Sequence, residues 1–318
     1  MKTSLKLKLF FPLALLFSFT WLTSCERDPA EPEPEGYTSL DDFFAHHKLP
    51  IQNYTLNGAM GGTVTSPRGT QVTVPPYAFV EQNGDSVNGS VTLYFQDLYK
   101  KSEIFWAQRP TQTDNDILAS GGEAYIKVMS GGNVVNLRSG KNITISMPSS
   151  LTGTSALANP LPYVWQPDSL VNQRWNNAPG NSLNYNAGDY VYGLWEMNQF
   201  INPPDTGCWV NCDDPTCFNG YTPTVLTLHP TGAGAGTLVY LIYNNFTTVV
   251  VVNNYEEGNY VCEDAPTGME CTAVFVRVTN GYLWAAFMPI TIEANQTVNF
   301  TLDRMTTEEF ETQLEALD

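Results

Sequence analysis

The chain reads as an all-β protein, built from two mainly antiparallel β-sandwich modules with a short N-terminal helix and a C-terminal helix. Three observations predict this. Short segments alternate apolar and polar side chains with a period of two, as half-buried antiparallel strands do. Examples are Thr70–Val74, Ser90–Phe95, Ala124–Val128 and Asn142–Met147. Turn residues that tolerate positive φ separate them, at Asn83-Gly84-Asp85, Asn88-Gly89 and Gly131-Gly132-Asn133. Lysine is scarce, while aromatic and β-branched residues are abundant.

The order of elements starts with a leader. Lys2, Lys6 and Lys8 precede an almost wholly apolar run, Leu9–Thr20, and Leu22-Thr23-Ser24-Cys25 closes it. This is the pattern of a secretory signal over residues 1–24. The run is shorter than the roughly 18–20 residues that span a bilayer. Residues 25–36 alternate Pro with Glu, a composition that favours an extended chain and buries no core. The eleven residues after Cys25 reach on the order of 30 Å at about 3.1 Å each.

Residues 37–150 form the first β-module. Its opening helix is marked by Ser39 as N-cap before Leu40–Ala45, and His46-His47 at its end read as surface. Residues 151–221 are dense in Asn, Pro and Gly and hold Trp165, Trp175, Trp195 and Trp209; they read as a loop-rich aromatic connector. Strands return over residues 222–305. A final helix, 306–318, starts at the Thr306-x-x-Glu309 capping box and carries Phe310, Leu314 and Leu317 on one stripe that should pack on the last sheet.

Charge restricts the partners. Of 15 Lys+Arg, three lie in the first 24 residues, which hold no acid. Residues 25–318 therefore carry 12 basic against 32 acidic side chains, a formal −20. Such a field repels nucleic acid and anionic headgroups, so membrane attachment would come from acyl chains.

The end of the leader resembles the lipobox of bacterial lipoproteins, in which the cysteine becomes the acylated N-terminus. That resemblance implies lipidation at Cys25 and a membrane-held, exported protein. Acidic residues directly after the cysteine resemble the export signal of surface lipoproteins in Bacteroidota-type bacteria. This implies an outer-membrane lipoprotein exposed at the cell surface, with the periplasmic face as the other possibility. Residues 61–97, with Gly61-Gly62, Pro75-Pro76, Ala78-Phe79 and a Gly-bounded hairpin into Val91-Thr92-Leu93, resemble the ZU-five domain. The chain as a whole resembles predicted bacterial lipoproteins that carry this domain. Leu118–Glu123, Trp209–Asp213 and Asn295–Val298 add to the likeness. The resemblance implies a β-sandwich used for protein contact. The self-cleavage of some relatives needs a His-Phe-Ser tripeptide, which does not occur here.

Five cysteines follow Cys25, and in an exported chain they are expected to pair. Cys262 and Cys271 flank a short Pro- and Gly-containing loop and suggest a hairpin bridge. Cys208 with Cys217 is the second expectation, leaving Cys212 free or joined to Cys262. A metal site on Cys208, Cys212 and Cys217 lacks the spacing of zinc knuckles. Asp205, Asp213 and Asp214 lack an EF-hand pattern and read as a solvated acidic loop. No metal or cofactor is expected.

The three histidines (His46, His47, His229) sit in no Gly-x-Ser-x-Gly or His-Glu-x-x-His motif. No pattern selects two of the acids as a glycosidase pair. The expectation is a non-enzymatic envelope interaction module holding a protein partner. A surface glycan binder is the alternative, with Trp165, Tyr185, Tyr190, Tyr192, Trp195 and Trp209 as stacking residues. A secreted hydrolase ranks behind both.

Overall fold

The computed structural model describes residues 34–152, 157–167, 173–194, 207–231 and 236–318. The expected signal segment, Cys25, Trp195 and Asp205 lie outside them. Residues 40–46 form α1 and 101–107 form α2. Fourteen strands follow in the first half of the fold: β1 (Gln52–Asn57), β2 (Gly62–Thr65), β3 (Gln71–Val74), β4 (Phe79–Val80), β5 (Ser90–Leu98), β6 (Ala119–Ser130), β7 (Asn133–Val134), β8 (Asn136–Leu137), β9 (Ile143–Pro148), β10 (Leu161–Pro167), β11 (Gln173–Asn177), β12 (Ser182–Asn186), β13 (Asp189–Leu194) and β14 (Cys208–Asp214). They build a sandwich. One sheet runs β1-β5-β6-β14-β10-β11, with β7 beside β6, and the other runs β12-β13-β9-β3-β2. Val72, Phe95, Ile126, Ile145 and Val210 fill the space between.

The second sandwich comprises β15 (Pro223–Pro230), β16 (Leu238–Tyr243), β17 (Val249–Val251), β18 (Asn254–Glu256), β19 (Asn259–Pro266), β20 (Glu270–Thr279), β21 (Tyr282–Thr291), β22 (Gln296–Phe300) and β23 (Asp303–Met305), followed by α3 (Thr307–Glu315). Sheet β18-β19-β15-β22 faces sheet β17-β16-β20-β21-β23. The pairing is antiparallel throughout except between β15 and β22, which run parallel. Leu226, Leu241 and Phe275 lie in the core between the sheets.

Sheet β17-β16-β20-β21-β23 is buried on both faces. On its outer side Tyr240, Ile242, Val274 and Val276 meet Phe43, Phe44, Phe105, Trp106, Phe310 and Leu314 of the three helices. This explains why Leu238–Tyr243 and Ala273–Val276 are continuous apolar runs: a strand covered on both faces has no polar face. The caps behave as their chemistry requires. Ser39 Oγ accepts from Asp42 N at 3.1 Å, and the Thr306–Glu309 box closes from both sides, at 3.2 and 2.9 Å. β3 ends at Val74, before Pro75-Pro76, as residues without a donor dictate.

Three expectations are corrected. Residues 151–221 are not a connector: they supply β10 to β14 and so complete both sheets of the first sandwich. Asn176, Asn177, Asn184, Asn186 and Asn211 lie within these short strands, a composition that reads as loop when the pairing partners are unknown. Helix α1, at the start of the first module in sequence, packs on the second sandwich. His47 is not a surface residue; its ring stacks on Trp106 at 4.5 Å and its Nδ1 lies 2.6 Å from the Phe43 carbonyl.

Candidate functional site

The segment after α2 builds the junction between the sandwiches. Gln108 ends the helix with φ 53°, a left-handed turn that redirects the chain along the edge of β17. Thr111 N donates to Val249 O (2.7 Å) and Thr111 Oγ1 accepts from Val249 N (2.9 Å). Gln112 then joins two sheets. Its side-chain carbonyl accepts from Val251 N in β17, and its main-chain carbonyl accepts from Trp175 N in β11 (3.2 Å). Further along, Thr248 Oγ1 donates to Leu118 O (2.8 Å), and Ser120 N to Thr247 O (2.9 Å). The unpaired edges of β11 and β17 are thereby covered by one strap of chain.

Beneath the strap lies a buried polar cluster. The Arg109 guanidinium sits between two indoles, 4.8 Å from the Trp165 ring and 5.1 Å from that of Trp209, a cation–π arrangement. Glu123 of β6 and Asp213 of β14 are both 0% exposed. Asp213 accepts from Asn211 Nδ2 at 2.7 Å, and Ser120 Oγ donates to Asn211 Oδ1 at 2.8 Å. Both oxygens of Glu123, Asp213 Oδ1, Arg109 Nε and Trp175 Nε1 have no hydrogen-bond partner. Burial pushes the Glu123 carboxyl well above its ordinary range; Asp213 adds to this and Arg109 opposes it. Burial likewise raises Asp213. With no exposed surface, these acids are out of reach of a bound sugar or peptide.

The accessible feature is a cleft of about 510 Å³ beside the strap. Asp114, Asp116, Arg174, Tyr221, Glu263 and Asp264 are among its lining residues. Arg174 is the one basic lining residue among the described residues, and its Nε lies 3.1 Å from Asp114 Oδ1. Phe218 and Val252 add apolar side chains to the lining.

The residues singled out from sequence are not gathered here. Tyr190 and Tyr192 are 1% and 0% exposed in the first core, since alternation along β13 turns both inward. Tyr185 is exposed, across the ladder from Tyr190. Trp165 and Trp209 are half-buried around Arg109. The stacking platform is thus absent among the described residues. Asp213 and Asp214 are not a solvated loop. They end β14, and Asp214 caps the following turn by accepting from Thr216 N at 2.8 Å and Thr216 Oγ1 at 2.6 Å.

All five cysteines after Cys25 are free thiols in this structure. Cys208 begins β14 and Cys217 lies beyond its far end. The six strand steps from Cys208 to Asp214 carry the chain roughly 20 Å before the turn that holds Cys217 begins, against the roughly 4.4–6.8 Å between Cα atoms that a disulfide requires. Cys212 and Cys262 belong to different cores. Cys262 and Cys271 do not flank a hairpin, because β19 and β20 belong to different sheets. Among the described residues no three His, Cys, Asp or Glu side chains converge as metal ligands. Sequence reasoning missed the strap. Its only signal was Arg109 and Gln112 standing between two apolar segments, which names no partner.

No protein-family model matches this chain, and neither a curated protein nor a solved structure matches it.

Proposed function

We propose that the chain is an exported, lipid-anchored envelope protein that holds a partner protein in the cleft between its sandwiches and carries out no chemistry. The ZU-five resemblance of residues 61–97 belongs to this reading, as does acylation at Cys25 on the outer membrane. The observation that carries it is the cleft itself. Four acids line it against one arginine, which already faces Asp114, so its complement is an extended segment bearing Lys or Arg.

The tether's exit supports the same reading. Gly36 N donates to Gly281 O (3.1 Å) and Glu35 Oε1 accepts from Thr307 N (3.0 Å). Gly281 lies at the β20–β21 turn, whereas Pro266, a cleft residue, lies just before the start of β20. A strand of 10 residues separates Pro266 from Gly281, roughly 30 Å, so the described end of the tether at Gly36 meets the end of β20 away from Pro266.

The test pairs two measurements. Cys25→Ser should move the protein from the membrane to the soluble fraction, and protease shaving of intact cells should distinguish the surface from the periplasmic face. Binding of Lys/Arg-rich peptides should weaken at least tenfold in the Asp116→Lys, Asp264→Lys double variant and fall with salt. Equal binding by the double variant would remove the cleft from consideration.

A further inference from the structure

Cys262 and Cys271 enter one core from opposite sheets. Cys262 stands opposite Leu226 in the β15–β19 ladder; Cys271 stands opposite Tyr243 and Ile290 in the other sheet. The chain passes from one sheet to the other through a short arch, held by Met269 N to Pro266 O (3.2 Å) and Gly268 N to Ile292 O (2.7 Å). Cys271 is 1% exposed, and Cys262 packs against the same cluster while also lining the cleft. Both side chains pack in the same cluster as Tyr243. The remaining described cysteines lie elsewhere, two in the first core and Cys217 beyond β14.

We propose that Cys262 and Cys271 are oxidised to a disulfide that staples the two sheets at the closed end of the second sandwich. The S–S bond forms as two thiols give up two protons and two electrons to an oxidant. With glutathione disulfide as the oxidant, its own S–S bond breaks and two glutathione thiols result. The inference in cells rests on the exported location proposed above, where disulfides persist.

Timing follows from the environment. Burial pushes Cys262 to about 11 and Cys271 to about 12, so little thiolate is present near neutral pH once the core has closed. The bond therefore forms during folding, while the thiols are still wet, and the product is a structural cross-link with no fast redox response.

The test is oxidative refolding. The full mature chain, unfolded in urea with reductant, is refolded in mixed reduced and oxidised glutathione, then alkylated and mapped without reduction. A cross-linked 262–271 peptide pair is expected, with a Tm about 5 °C above the reduced protein, given a short closed loop. Cys271→Ser should lose the shift; Cys208→Ser and Cys217→Ser should keep it. Copper-phenanthroline oxidation of folded, reduced protein over hours at pH 9, where the small thiolate fraction grows, gives a second readout that does not depend on refolding. Free, alkylatable Cys262 and Cys271 after both treatments, or Cys262 linked to another cysteine, would overturn the pairing. A pair that forms in vitro but is reduced in envelope material would instead count against the exported location.

Discussion

The Gln112 side-chain carbonyl accepts the Val251 N–H at 2.7 Å and, beside the two Thr111–Val249 hydrogen bonds, ties the strap over the first sandwich to the edge of the second. Gln112 is 6% exposed. Replacing it with Ala leaves the Val251 N–H without its partner next to a buried edge. We expect a loss of about 1–3 kcal/mol, read as a lower urea midpoint with an unchanged slope.

Glu123 makes stability depend on pH in the direction opposite to most carboxylates. Burial raises its folded pKa well above the ordinary 4.5. The folded chain therefore holds this proton more tightly than the unfolded chain does. Its contribution is fully present below about pH 4.5 and is lost as pH rises from there toward the folded value. Glu123→Gln keeps the shape and removes the ionisation. Its Tm should exceed that of the parent near pH 8 by several degrees, with the gap shrinking on acidification to pH 4. A gap independent of pH would show that Glu123 does not titrate in this way.

Arg68 and Glu103 fasten the β2–β3 turn to α2. Arg68 Nη1 donates to Glu103 Oε2 at 2.6 Å, and its Nη2 contacts the other oxygen. Glu103 Oε2 also accepts from Tyr99 N at 2.9 Å. The arginine side chain is 37% exposed, so solvent screening reduces the pair well below a fully buried one. A double-mutant cycle with Arg68→Met and Glu103→Gln should return a coupling of about 1–2 kcal/mol; a coupling near zero would mean the fork is ornamental to stability.

Phe310 is 0% exposed and touches Phe43, Phe105, Trp106 and Phe287. Phe310→Ala should cost about 3–5 kcal/mol through lost contact and a cavity. Thermal unfolding followed by tryptophan fluorescence, to which the adjacent Trp106 contributes, would report it directly.

Much of the fold was legible because its signals are local. Period-two alternation marked β3, β5 and β9, and Thr306 with Glu309 marked the start of α3. The continuous apolar runs of β16 and β20 identified strands, though not the helical layer that covers their second face. Helix α2 went unseen: Lys100-Lys101-Ser102 offers no conventional start. Its capping group includes Asp318, whose Oδ1 accepts from Ser102 N at 2.8 Å across 216 residues of sequence. The strands from β10 to β14 read as loop for the same reason. Their burial comes from β6, β9 and the aromatic cluster, partners distant in the chain.

The site was less legible still. Tyr190 and Tyr192 are the same residue types whether they bind a sugar or fill a core. Only the facing of β13 decides between these, and Gly121 and Gly122 show how tightly: a Cβ added there would lie 2.8 Å from Tyr190 and 2.7 Å from Tyr99. From the sequence alone come the β class, the caps and the acidic charge, because each depends on composition or on neighbours within a few residues. Which strands share a sheet, which cysteines share a core and which acids are buried were decided by tertiary packing. Those relations join residues scores of positions apart, and no short-range pattern encodes them.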